Sequence, residues 1–264
     1  MHIDEEFYEY SPPPPERQHK RLVALRELTA RGIPCILWGE DTLCYVYRVA
    51  TVLFAQKILV PDELLQQAAA VLQEGRYVPT GPGRDFSDSQ GVHAFPNYVR
   101  LRHLDIPEDA PYTLDPLPGH ILLLPQSYYD LDVRAQDRFQ SLVPPLPISN
   151  KGILVPKFHT FIEALVHFVV NPPTDRPNRK GRSMHTIFIG YLASWRVQYD
   201  ASLTPPHMLL PEEQKILDEL CTDEARWYMH QLFWERRPVN SNDVIQYKQA
   251  LTRNTVNSRS DQRA

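Results

Sequence analysis

Residues 35–63 read CILWGEDTLCYVYRVATVLFAQKILVPDE. The apolar run Ile33 to Trp38 is short and bounded by Gly32 and Gly39, the pattern of a buried strand. Gly39-Glu40-Asp41 opens a helix whose first turn is acidic, as the positive end of a helix dipole favours. Thr51 to Val60 reads as a second strand, and Pro61-Asp62-Glu63 starts a further helix with proline in its first turn. Leu64, Leu65, Ala68, Ala69 and Leu72 form the apolar face of that helix as far as Gly75. Strand, helix, strand, helix predicts an α/β (α+β) fold.

Upstream, residues 1–15 form a proline-rich tail ending in Ser11-Pro12-Pro13-Pro14-Pro15, a stiff extended spacer. Glu16 to Arg31 carries Leu22, Leu25 and Leu28 at helical spacing and stops at Gly32. Downstream, residues 79–97 are turn-rich and polar, a loop or flap. Tyr98 to Ile106 and His120 to Leu124 read as strands. The proline cluster Val143 to Pro147 marks an expected boundary, after which the pattern turns helical. Helices are expected at Phe158–Val170, Ser183–Tyr199, Pro211–Leu220 and Asp223–Arg236, with Ser183 as a cap and Ile187, Phe188, Tyr191, Leu192 and Trp195 on one stripe. Thr160-x-x-Glu163 fits a capping box, and residues 171–182 read as a mobile loop. The expected division is 1–15 tail, 16–147 α/β domain, 148–240 helical subdomain and 241–264 polar tail, disordered at its end.

The chain has 264 residues, enough for a substantial core, with 42% hydrophobic and 23% charged residues. Lys+Arg of 28 against Asp+Glu of 32 gives a net charge of −4, which argues against nucleic-acid binding. Three scattered cysteines and no CxxC pair predict reduced thiols and no structural zinc, hence a cytoplasmic protein. The acidic N-terminus does not resemble a signal peptide, and no apolar run is long enough for a membrane span. Walker, dinucleotide and Gly-x-Ser-x-Gly motifs are absent from the sequence.

On Trp38-Gly39-Glu40, Leu43, Arg48, Thr51, Ile58-Leu59-Val60, Asp62-Glu63, Ala68, Leu72 and Gly75, the first half resembles the minimal nucleotidyltransferase fold, in the AbiEii-type subgroup with its fungal relatives. The second half, from Ile153-Leu154-Val155-Pro156, is similar to the helical part of the fungal relatives. The resemblance implies a small mixed sheet with flanking helices, a cleft beside Gly39 and, in that family, a strand bearing Asp-x-Asp that holds two divalent ions. Aligned on Leu59-Val60, those two positions fall on Ala55 and Lys57, and the family's second glycine is Glu40. Alanine offers no ligand and an ammonium repels a cation. The resemblance therefore implies the scaffold without the metal-dependent reaction; no metal and no cofactor are expected.

The candidate catalytic residues are Lys57, His103 and Asp105; the candidate substrate-binding residues are Trp38, Gly39, Glu40, Tyr45, Arg100 and Tyr129. Lys57 is either a cleft donor or a snorkelling strand-end lysine. Trp38 either meets a ligand or belongs to the core, and Glu40 either meets it or only complements a helix terminus. The tyrosines could line a pocket or simply pack. Alternation on a strand puts Arg100 and Arg102 on one face and His103 with Asp105 on the other, where His–Asp proton sharing or a surface salt bridge are both open. Two readings follow. One is a metal-independent enzyme acting on an apolar small molecule, a cyclase or isomerase of the cycloaddition type, with fungal secondary-metabolite biosynthesis as its setting on the resemblance. The other is a non-catalytic pseudo-transferase binding a nucleotide or a protein. A weaker third is an active transferase using Asp105, Asp130 or Asp132.

Overall fold

The computed structural model describes residues 12–81, 83, 86–107, 117–174, 178–197 and 205–261. The chain divides into two compact units, residues 1–199 and 200–264. Residues 1–11 of the proline-rich tail lie outside the described residues.

In the first unit, α1 (Pro15–Arg21) and α2 (Val23–Ala30) replace the single helix expected from Glu16. Then come β1 (Ile36–Trp38), α3 (Glu40–Tyr45), β2 (Gln56–Val60), α4 (Leu65–Glu74), β3 (Tyr77–Pro79), β4 (Val99–His103) and β5 (Ile121–Pro125). β6 (Phe139–Ser141) and β7 (Leu154–Pro156) precede the helices α5 (Phe158–Val170) and α6 (Arg179–Val197). The mixed seven-stranded sheet runs β3-β4-β5-β2-β1-β7-β6. β1 and β2 are antiparallel although a helix separates them, while β2/β5 and β1/β7 are parallel. β7 follows the proline cluster at 143–147 and pairs with β1, so the chain crosses back into the sheet after the expected boundary.

Register sorts the sheet into two faces, because side chains of paired residues share a side. Leu37, Ile58, Leu123 and Leu101 form one face and pack with Leu25 and Leu28 of α2 and Ala68, Ala69 and Leu72 of α4. Trp38, Lys57, Leu122 and Arg100 are successive partners along the other face. There Trp38 meets Phe161 of α5 edge-on, with ring centroids 4.8 Å apart.

Several sequence expectations change in the structure. The strand expected from Thr51 begins only at Gln56, because Arg21 takes the Phe54 carbonyl at 2.6 Å and holds residues before it off the sheet. The capping box at Thr160 and Glu163 does not form: α5 begins at Phe158 after Lys157, and Glu163 instead accepts from Arg138 at 3.0 Å. α6 begins at Arg179 inside the expected loop, with the Asn178 side chain accepting from the Gly181 amide at 2.5 Å. Ser183 is one turn within the helix and donates back to the Arg179 carbonyl.

The second unit contains α7 (Pro211–Glu219), α8 (Asp223–Glu235) and α9 (Ser241–Asp261). α9 covers most of the stretch read as a polar tail. It starts because Asn240 accepts from the amides of Asn242 and Asp243 while Asp243 accepts from the Asn240 amide, and it packs because Tyr247 stacks on Trp227 at 4.1 Å. None of the described helices is both long and apolar enough to cross a membrane.

Candidate functional site

Trp38 ends β1, and Gly39 then takes φ +71° and ψ −135°, a backbone state that side chains other than glycine's rarely tolerate. The turn throws the next two residues inward. Glu40 and Asp41, in the acidic first turn of α3, are 3% and 1% exposed. Burial of two carboxylates requires partners. Lys57, opposite Trp38 on β2 and 1% exposed, donates from Nζ to Glu40 Oε2. Arg21 donates from Nε to Asp41 Oδ1 at 2.5 Å. A Cβ on Gly39 would lie 3.0 Å from Lys57 Cδ, so the glycine also makes room for the lysine stem.

Around this pair stands an aromatic and histidine cluster. Tyr129 packs on Trp38 at 4.5 Å between centroids, and its hydroxyl lies 3.0 Å from His185 Nε2 of α6. His185 Nδ1 is 2.7 Å from the Gly181 carbonyl. A carbonyl only accepts, so Nδ1 carries the hydrogen, Nε2 is the acceptor and Tyr129 donates to it. Burial is the main force pushing the His185 pKa down to about 3, and the Lys57 charge adds to it. The Tyr129 hydroxyl is held well above the ordinary phenol range, chiefly by burial. His185 also stacks on Phe168 of α5, with centroids 3.8 Å apart.

Above Glu40 opens a pocket of about 530 Å³ lined by Glu40, Thr51, Phe54, Ala55, Phe86, Lys180, Ser183, Met184, Ile187, Phe188 and Tyr191. One wall is the irregular segment held by Arg21, and the facing wall is a single stripe of α6. Phe86 reaches it from the flap, which Asn178 fastens by donating from Nδ2 to the Phe86 and Val92 carbonyls. α6 approaches that flap closely because residue 181 is glycine: a Cβ there would sit 2.6 Å from the Ala94 Cβ. A second, more polar hollow of about 630 Å³ lies in the flap itself, around Asp88 and His93.

Of the residues predicted from sequence, Glu40 lines the pocket, while Trp38, Gly39, Lys57 and Tyr129 form a layer directly around it. Arg100 shares the Lys57 face but donates to the Gly81 carbonyl of the flap at 3.3 Å. Tyr45 points into the opposite core, with its hydroxyl raised by burial. His103 and Asp105 are not brought to Lys57. His103 meets Tyr77 edge-on at the α4 side of the sheet, and its Nδ1 accepts from the Asp105 amide at 3.2 Å. Burial lowers the His103 pKa, and the Asp105 carboxylate pairs with Arg76 at 2.5 Å. Sequence reading missed Phe54, Phe86, Lys180 and Met184 as lining residues. The one available signal was the α6 stripe, which periodicity alone assigns to core as readily as to a pocket.

Ala55 lines the pocket floor without offering a ligand, and the neighbouring carboxylate, Glu40, is engaged by the Lys57 ammonium. Among the described residues no group of three or more His, Cys, Asp or Glu side chains is placed to hold a metal ion. The described residues therefore do not fit a divalent pair.

Neither a protein-family model nor a curated protein sequence matches this chain. Among solved structures, the crystal structure of JHP933 from Helicobacter pylori is similar over 96% of this chain and 98% of that one, at 12% identity and a TM-score of 0.35. A second, a protein from H. pylori provisionally named a nucleotidyltransferase, is similar over 84% and 95%, at 13% identity and a TM-score of 0.31. At these scores the likeness extends to neither a shared site nor a shared activity.

Proposed function

We propose that the chain binds an apolar small molecule in the pocket above Glu40 and acts on it without a metal, in the manner of a cyclase or isomerase. The observation that carries this reading is the Glu40–Lys57 pair at the floor of a pocket walled by Phe54, Phe86, Met184, Ile187 and Phe188. Such a site offers shape, apolar surface and one fixed dipole. Those suit a unimolecular rearrangement, in which holding a reactive conformer supplies much of the acceleration and no group leaves the substrate.

The mutual neutralisation of Glu40 and Lys57 also favours a second reading, a binder without catalysis, because neither group is available as an acid or base while paired. Native mass spectrometry after incubation with apolar polyenes and, separately, with nucleotides tests both. Retention of a polyene with conversion to an isomer of the same mass is expected from the first reading, and retention without conversion from the second. With any nucleoside triphosphate and magnesium or manganese, no nucleotidyl transfer is expected. Radiolabel transferred to an acceptor and abolished by EDTA would overturn both readings.

A further inference from the structure

The pocket-facing residues of α6 are Lys180, Ser183, Met184, Ile187, Phe188 and Tyr191, spaced by three or four and therefore on one side of the helix. Their chemistry changes along the axis, from a cation and a hydroxyl at the N-terminal end to branched and aromatic groups at the other. At 1.5 Å per residue the stripe runs roughly 16 Å. Its apolar half is open: Ile187 is 50% exposed and Tyr191 43%, and Phe54 across from them is 41% exposed. Exposed apolar side chains gathered at one opening mark a surface that a ligand can cover. The charge at the other end is also defined. Glu40 is engaged by Lys57, and Lys180 gives the lining its positive end.

We propose that the pocket takes a monoanionic amphiphile, a carboxylate on an unbranched apolar chain, lying along α6 with its carboxylate at Lys180 and its chain over Ile187 and Tyr191. This assignment names the ligand class of the site and rests on its being a small-molecule pocket. The apolar chain supplies most of the affinity, through the area it covers. The carboxylate sets direction and preference, since an exposed ion pair contributes about 1 kcal/mol at most, or roughly fivefold in affinity.

Calorimetry on the full chain, at low salt and with monomeric ligand, would compare dodecanoate, dodecanol and dodecylamine. The expected order is dodecanoate tightest by roughly fivefold over dodecanol, with dodecylamine weakest. Lys180→Ala should bring dodecanoate level with dodecanol, and Lys180→Glu should place dodecylamine first; Lys180 is exposed, and unchanged melting would confirm that both variants fold. Ile187→Asp should weaken dodecanoate and dodecanol together while keeping their order. If all three probes bind alike and Lys180→Glu changes nothing, the assignment is overturned while the pocket stands. If none binds while a polyene is still retained, the assignment is overturned and the pocket stands; if the polyene is not retained either, the small-molecule reading of the pocket is itself overturned. Sedimentation with phosphatidylserine vesicles, without heat from dodecanoate, would overturn the assignment in favour of a lipid surface.

Discussion

At Gly39 the backbone and a buried ion pair depend on one another. Its positive φ and the 3.0 Å approach to Lys57 Cδ both exclude a side chain. Gly39→Ala should therefore lower stability by about 1–3 kcal/mol, the range for a strained backbone residue, read by urea unfolding. Lys57→Ala is expected to be worse, about 3–5 kcal/mol, because it leaves the Glu40 carboxylate buried and unpaired. The double variant Lys57→Met/Glu40→Leu should recover most of that loss, since apolar replacements can substitute for a buried pair. An unchanged melting temperature in Lys57→Ala would mean the ammonium is solvated, contrary to the geometry described. The family resemblance, aligned on Leu59-Val60, placed Lys57 beside Gly39 and Glu40 in the sequence reading. It could not show that Asp41 is matched by Arg21 from α1, because that contact joins segments with no shared local pattern.

α6 is held through His185 to Tyr129 and to Phe168 of α5, and this makes the helix sensitive to acid. The folded chain keeps the imidazole neutral down to about 3, whereas the unfolded chain protonates it near the ordinary 6.5. Below that value the unfolded state binds the extra proton, so stability rises with pH across the window between about 3 and 6.5. The slope from this one group approaches about 1.4 kcal/mol per pH unit and vanishes above the window. His185→Phe should cost about 1–3 kcal/mol at neutral pH by leaving the Tyr129 hydroxyl without its acceptor, but the variant should lose less stability on acidification. Equal acid slopes in the two proteins would show that His185 is already protonated when folded. The bounds of α5 and α8 were readable from sequence within a residue or two. Strand starts were not: Thr51 to Ala55 has strand composition, yet Arg21 withdraws the Phe54 carbonyl from sheet pairing. The wall of the pocket escaped for a related reason. A stripe of apolar residues on a helix looks the same whether it meets a core or a ligand.

On the scale of the chain, every described residue lining the main pocket belongs to the first unit, from Glu40 to Tyr191. A protein ending at residue 199 should accordingly retain a cooperative melting transition and bind the same ligands as the full chain; loss of binding with folding intact would assign the second unit a part in the site. The distribution of thiols offers a way to watch the molecule open. Cys35 and Cys44 are buried on either side of the Gly39 turn, burial pushing Cys35 up to about 12, whereas Cys221 of the second unit is exposed. An alkylating reagent should modify one site within minutes under native conditions and reach the other two only when the turn itself comes apart. The three cysteines thus act as a built-in clock: the delay between the first and the later adducts, read by mass, measures how often the core behind the Gly39 turn opens to water.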